Sequence, residues 1–178
     1  MSVIWYECKV KYRKTQETGE SKIVTENYLL DAVSYTEAES RITEEMAAYT
    51  SEEFKITNIK VANFSEVHPF ENSDRWFKSK VSLISYDDES GKERKSNLYM
   101  LIQANDVKEA FENTDQALQG TTGDYTIPAI TESPILDVFP YFSGDEEEAE
   151  KFANLKDSEI SKEEVSEEIE VSEKNEAV

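Results

Sequence analysis

The chain has 178 residues and a formal net charge of −20, which suits one domain or two small ones. Its single cysteine, Cys8, cannot form an internal disulfide, so a disulfide-bonded exported scaffold is excluded and a reducing compartment is indicated. No run approaches the ~18 apolar residues that span a bilayer, no signal-peptide pattern opens the chain, and the acidic balance disfavours anionic lipid. We therefore expect a cytoplasmic protein that does not bind membranes.

The first element is a strand with a strict alternation of side chains. One side carries Tyr6, Cys8 and Val10 among its apolar residues and is the predicted core side; the other side carries Trp5 together with basic residues. A polar loop with Gly19 follows, as a hairpin connection requires, and a second strand runs to Ala32. A β-hairpin is therefore predicted at the start of the chain.

A helix and a further strand follow this hairpin. Ser34 and Glu37 have the spacing of a capping box, in which the two side chains satisfy exposed amides of the first turn. An apolar stripe with helical spacing predicts that one face packs on the sheet and that the helix ends near Thr50. The stripe consists of Ala38, Ile42, Met46 and Tyr49. Residues Phe54 to Val67 predict the last strand, with a bulge or break at Asn58.

The same order of features returns 71 or 72 residues later. Trp5-Tyr6 falls on Trp76-Phe77, Gly19 on Gly91, and Pro69-Phe70 on Pro140-Tyr141. Ordered agreement at several places along the chain indicates a tandem duplication. We predict an α+β fold built from two ββαβ repeats, residues 1–71 and 72–142.

The second repeat carries equivalent signals. Asp106 and Glu109 form its capping box, and its helix is predicted to end near Gly120. The predicted apolar stripe consists of Val107, Ala110, Phe111, Thr114 and Leu118. Tyr125 to Val138 supply the last strand, in which Pro128 and Pro134 predict bulges or breaks and Pro128 predicts an edge position.

Residues 143–178 differ in composition from the rest of the chain. They contain 14 Asp and Glu against 4 Lys and Arg, so about a quarter of the length carries half of the net charge. Few apolar residues are present to offset the entropy of ordering this segment. We predict a disordered acidic tail with a regulatory role.

The repeated Trp-aromatic start with its following Lys-Val, together with the segment from Asp31 to Glu39, resembles a family of short proteins from Bacteroidetes bacteria and their phages. The family is a domain of unknown function, and the resemblance covers residues 3 to about 142. It implies a source but brings no activity, cofactor or functional residue.

The sequence offers little for catalysis. The single histidine, His68, matches Phe139 in the other repeat, which favours a packed aromatic residue over a general base. Cys8 lies on the predicted core side, which favours an inert thiol. The acidic hairpin tip at residues 87–89 lacks the ligand spacing of a calcium loop. We predict a protein that is not an enzyme and that has no metal or other cofactor.

A binding face is the more specific hypothesis. Aromatic rings beside cations on an open sheet provide base stacking and phosphate neutralisation, the two requirements for binding single-stranded nucleic acid. The candidate residues are Trp5, Lys9, Lys11, Arg13, Trp76, Lys78, Lys80 and Arg94. The acidic tail then acts as a competitor for this face or as a docking peptide for other proteins.

Alternative interpretations fit the same residues. Trp5 and Trp76, with Leu29 and Leu101, can instead form an apolar layer where the two repeats pack, with the lysines at its rim. The protein is then an adaptor that docks on a host or phage protein through its hairpin edges. A third hypothesis is an acidic nucleic-acid mimic that uses helix carboxylates. The sequence does not predict an oligomeric state.

Overall fold

The computed structural model describes residues 4–140, which belong to one compact unit. Within them, eight strands and two helices confirm the predicted α+β class. The acidic tail lies outside the described residues. In chain order the elements are β1 (Ile4–Thr15), β2 (Ser21–Ala32), α1 (Tyr35–Tyr49), β3 (Phe54–Val61), β4 (Glu66–His68), β5 (Arg75–Tyr86), β6 (Glu93–Ala104), α2 (Val107–Ala117), β7 (Asp124–Glu132) and β8 (Ile135–Phe139).

Both helices begin where the capping boxes predict. Ser34 Oγ accepts a hydrogen bond from the Glu37 amide at 3.2 Å, and the Glu37 carboxylate accepts one from the Val33 amide at 2.7 Å. Asp106 and Glu109 make the equivalent pair of bonds at the start of α2. These side chains satisfy amides that have no partner inside the helix.

The two helix stripes are only partly buried. Ala38, Ile42 and Met46 of α1 are completely buried, which confirms three of the four predicted positions, whereas Tyr49 is exposed. Ala110, Thr114 and Leu118 in the α2 region are buried, but Val107 and Phe111 are about half exposed, so their predicted packing on the sheet is wrong. The α2 helix ends at Ala117, and Gly120 takes a positive φ in the following turn.

The strands form two four-stranded sheets, with the orders β3-β1-β2-β8 and β4-β6-β5-β7. Both long edge strands contain bulges near predicted positions. One residue is extra in β3 between Asn58 and Ile56, and one is extra in β7 around Pro128. Because β7 is an edge strand, the missing amide hydrogen of Pro128 is tolerated there, as predicted.

The prediction of one last strand per repeat is wrong. The segment from Phe54 to Val67 divides into β3 and β4, and the segment from Tyr125 to Val138 divides into β7 and β8 around Pro134. Proline has no amide hydrogen to continue a strand ladder, which accounts for the second break. Each half of the chain therefore has the order ββαββ.

The short strands β4 and β8 cross between the two sheets. Val67 in β4 pairs in parallel with Leu101 in β6, and Val138 in β8 pairs in parallel with Leu29 in β2. Each half of the chain thus provides the last strand of the sheet that the other half builds. Neither residues 1–71 nor residues 72–142 contain a complete sheet.

Polar side chains fix both crossing segments. Arg41 in α1 donates a hydrogen bond to the Phe139 carbonyl at 3.2 Å and also contacts Asp31 of β2. On the other side, Gln103 of β6 accepts a hydrogen bond from the Phe70 amide at 3.1 Å. A side-chain hydrogen bond therefore stabilises each of the two crossing segments.

The sheets meet at the faces that point away from the helices. Trp76 is 4 % exposed, and Trp5 is partly buried against the same cluster, so the two rings belong to an apolar layer between the sheets. This arrangement is the packing alternative that the sequence left open. We call this group the inter-sheet cluster; its members are Trp5, Leu29, Ala62, Phe64, Val67, Trp76, Leu101, Ile135 and Val138.

A structural role for the inter-sheet cluster predicts unequal effects of truncating its two Trp residues. Trp76→Ala should lower the free energy of unfolding by about 3–5 kcal/mol, because it leaves a large cavity among buried side chains. Trp5→Ala should cost about 1–2 kcal/mol, because part of its ring is already in water. Urea denaturation measures both values, and equal losses would contradict the unequal burial of the two rings.

Candidate functional site

The structure separates the eight residues of the predicted binding face. Trp76 is buried, so its ring is not available to stack on a base, which corrects the exposed position that the binding hypothesis requires. Arg94 lies opposite Ser85, on the other side of the second sheet from Trp76, and forms an ion pair with Asp87 at 2.9 Å. Side-chain alternation along β5 directs Trp76 and Ser85 to opposite faces, and Arg94 shares the face of its partner Ser85.

Lys78 and Lys80 do share the face of Trp76. The Lys78 ammonium lies 4.4 Å from the centre of the Tyr99 ring and 5.6 Å from that of Phe64. Such cation–π contacts hold the amine against the inter-sheet cluster. Lys78 therefore caps the cluster, as the rim-charge alternative predicts, and Lys80 lies beside it half-buried.

One face of the first sheet carries five basic residues. Lys11 in β1 lies directly opposite Lys55 in β3, on the side of the sheet that points away from α1. Lys60 lies opposite Glu7 on the same side. We call this surface the basic face; its cations are Lys9, Lys11, Arg13, Lys55 and Lys60.

Lys55 and Lys60 were not among the residues that the sequence singled out. Their place depends on the pairing of β3 with β1, which connects positions more than forty residues apart. The bulge between Asn58 and Ile56 also shifts the register by one residue, and this shift turns Lys55 to the side of Lys11. No local pattern predicts both features together.

Most cations of the basic face lack an anionic partner. Glu7 lies on this face, where it bonds Lys60 at 3.3 Å and accepts a hydrogen bond from Asn27 at 3.0 Å. Within residues 4–140, no carboxylate lies within 4.0 Å of the other four cations, all of which are exposed. These four residues are Lys9, Lys11, Arg13 and Lys55.

A cavity of about 460 Å³ lies at one end of the basic face. Lys11, Arg13 and Lys55 supply cations to its wall, and the loop after α1 supplies two exposed carboxylates, Glu52 and Glu53. Tyr12, Ile23 and Phe54 complete the lining. The cavity thus offers both hydrogen-bond acceptors and positive charge beside apolar surface.

The chain matches a known family. A family model described as a domain of unknown function, DUF4494, matches residues 4–141. The chain belongs to the DUF4494 family. This match confirms the predicted membership of an uncharacterised family over nearly the same residues. No curated protein and no solved structure matches the chain.

The two reactive side chains that the sequence singled out in this DUF4494 domain, Cys8 and His68, have different surroundings. Cys8 is completely buried, and burial, together with the nearby charge of Glu7, raises the pKa of its thiol to about 12. The protonated thiol is a poor nucleophile. His68 is half-buried, and its Nε2 lies 2.7 Å from a carboxylate oxygen of Glu66.

The structure shows no obvious metal centre or membrane segment in the part of the chain that it describes. Residues 4–140 contain no group of three or more His, Cys, Asp and Glu side chains arranged to hold a metal ion. Asp87 at the second hairpin tip accepts hydrogen bonds from the Ser90 and Glu89 amides. These bonds lower the pKa of Asp87, and the bond from Ser90 has the largest effect. Neither helix in this range is long and apolar enough to cross a bilayer.

One carboxylate, that of Glu26, is the centre of a hydrogen-bond network on the α1 side of the first sheet. Glu26 Oε2 accepts hydrogen bonds from the hydroxyls of Tyr12 and Tyr28, each at 2.7 Å, and Lys14 lies 3.3 Å from Oε1. Burial acts to raise the pKa of Glu26, but these hydrogen bonds outweigh it and leave the pKa below its ordinary value. Burial and the bonds to this carboxylate raise the pKa of both tyrosines.

The lowered pKa of Glu26 predicts a stability loss in acid. The contribution of the carboxylate is complete above its ordinary pKa of 4.5 and disappears as the pH falls through the lower folded-state value. Glu26→Gln should lower the free energy of unfolding at pH 7 by about 1–2 kcal/mol, because neutral acceptors bind hydroxyls more weakly.

Denaturation at pH 7 and at about pH 3 tests this prediction. The wild-type protein should lose more stability between the two values than Glu26→Gln does, whereas Glu17→Gln in the exposed hairpin loop should behave like wild type. Equal losses in wild type and Glu26→Gln would show that Glu26 does not contribute.

Proposed function

We propose that this DUF4494 protein is a non-enzymatic binding protein that holds single-stranded nucleic acid on the basic face. The observation that carries the proposal is the group of four exposed cations without an anionic partner, in a protein whose formal net charge is −20. Unpaired cations on one face of an acidic protein create a local positive field that attracts a polyanionic ligand. The resemblance to proteins of Bacteroidetes and their phages makes a phage or mobile-element accessory factor the setting that we propose.

The spacing of the cations favours a linear ligand. Lys9, Lys11 and Arg13 alternate along β1, so neighbouring cations are about 6.6–6.8 Å apart along the strand. Lys55 lies beside Lys11 on β3 and widens the row. A row of cations on an open sheet follows the backbone of a single strand, whereas sequence-specific binding of a duplex places a helix or a two-stranded ribbon in a groove.

Fewer aromatic rings are available for base stacking than the sequence predicted. Trp5 adjoins the basic face and keeps part of its ring exposed, but Trp76 is buried. Since each stacked base contributes about 1–3 kcal/mol, a face with one partly exposed ring depends mainly on phosphate contacts. The proposed ligand is therefore bound chiefly by charge.

An adaptor function is the second candidate, and a specific observation favours it. Val107 and Phe111 are 54 % and 49 % exposed and lie one turn apart on α2. Apolar side chains with this spacing are typical of helix surfaces that contact another protein. A host or phage protein is the partner that this alternative requires.

Binding by charge predicts a steep salt dependence. With three or four phosphates neutralised, the affinity of the full-length protein for a single-stranded oligonucleotide should fall about 20- to 50-fold between 50 and 200 mM salt. Lys11→Glu should weaken binding and reduce this dependence. Lys108→Glu makes the same charge change on α2 and should have little effect.

Fluorescence anisotropy measures these affinities. A version that ends at Phe142 removes 14 acidic and 4 basic residues and should bind more tightly than the full-length protein, because its net charge is less negative. Trp5→Ala and Lys80→Glu report the contributions of the partly exposed ring and of the second sheet. Failure of the shortened protein to bind at low salt would contradict the proposed function.

A further inference from the structure

We infer that the cavity at the end of the basic face selects nucleobases that carry an exocyclic amino group over thymine and uracil. This inference rests on the proposed function and adds a specificity to it. It starts from the presence of Glu52 and Glu53 in the wall of a cavity that otherwise presents Lys11, Arg13 and Lys55. Carboxylates repel phosphate. Because they lie beside a row of phosphate-binding cations, we infer that they contact a different part of the ligand.

The local backbone fixes where these carboxylates lie. The Thr50 amide bonds the Met46 carbonyl at 3.0 Å and closes α1, and Thr50 Oγ1 accepts a hydrogen bond from the Glu52 amide at 3.1 Å. Phe54, half-buried against the core of the first sheet, then begins β3. Glu52 and Glu53 thus lie between two anchored elements and form part of the cavity lining.

Both carboxylates are available to a ligand. They are exposed, and in residues 4–140 neither of them lies within 4.0 Å of a cationic group. A carboxylate that stays clear of three cations in the same cavity keeps its acceptor capacity for a donor that enters. Opposite charges in the lining of one cavity fit a ligand that is anionic at one end and a hydrogen-bond donor at the other.

A nucleotide has this polarity. Its phosphate meets the cations, its ring meets the exposed side chain of Ile23, which pairs with Arg13 on the basic face, and its base edge reaches the carboxylates. Cytosine presents an amino donor at N4 and adenine presents one at N6, whereas thymine presents a carbonyl oxygen at the equivalent position. A carboxylate accepts from the amino group and repels the carbonyl, so the cavity discriminates between these bases.

Binding of two homopolymers by the full-length protein tests the inference. Oligo-dC and oligo-dT of about 12 nucleotides are both pyrimidine strands of a length within known single-strand footprints, so they differ mainly in the base edge. Oligo-dC should bind roughly 5-fold more tightly at low salt, the lower end of the effect of a specific base contact.

Substitutions assign the preference to the cavity. The double variant Glu52→Ala and Glu53→Ala should bind the two strands equally, with a higher affinity for oligo-dT than wild type has. Glu44→Ala removes a carboxylate from the exposed side of α1 and should retain the preference. Glu53→Gln provides a second test if the double variant has an altered urea midpoint.

The outcomes distinguish this inference from the proposed function. Equal binding of both strands by wild type, or tighter binding of oligo-dT, overturns the inference and leaves the binding function in place. A preference for oligo-dC that persists in the double variant overturns the assignment to Glu52 and Glu53. Absence of binding to either strand at low salt overturns both the proposed function and the inference.

Discussion

The packing of two sheets through the inter-sheet cluster is the constraint on which the rest of the structure depends. The crossing of β4 and β8 connects the two sheets, because each sheet takes its last strand from the other half of the chain. Leu29 and Leu101, the partners of the crossing strands, are completely buried in the same cluster as Trp76. Pairing of strands and burial of apolar surface thus stabilise the same arrangement.

This arrangement divides the face of the first sheet that points away from α1. Near Trp5 the second sheet covers the face, which is apolar there; farther along β1, from Lys9 to Arg13, it is exposed and basic. The other side of the sheet is occupied by α1, which carries acidic residues on its exposed surface. Ligand binding on the first sheet is therefore expected on the open, basic part of this one face.

Features fixed by neighbouring residues could be predicted from the sequence, and features fixed by distant pairing could not. The caps at Ser34 and Asp106 depend on side chains three residues away and are confirmed. The exchange of strands depends on the pairing of Val67 with Leu101. The alignment of Lys55 with Lys11 depends on the pairing of β3 with β1 in addition to the bulge near Asn58, and the sequence indicated only the bulge. Alternation placed the Trp rings on the correct face, but it does not indicate what covers that face.

The solvent accessibility of each Trp ring tests the packing of the two sheets most directly. The chain contains two Trp residues, so Trp5→Phe and Trp76→Phe each leave a single fluorophore. Acrylamide should quench Trp76 poorly and Trp5 to an intermediate extent, because the first ring is buried between the sheets and the second is partly exposed. Quenching of Trp76 as efficient as that of free tryptophan would show that the sheets do not pack through the inter-sheet cluster. Both rings would then be accessible for base stacking.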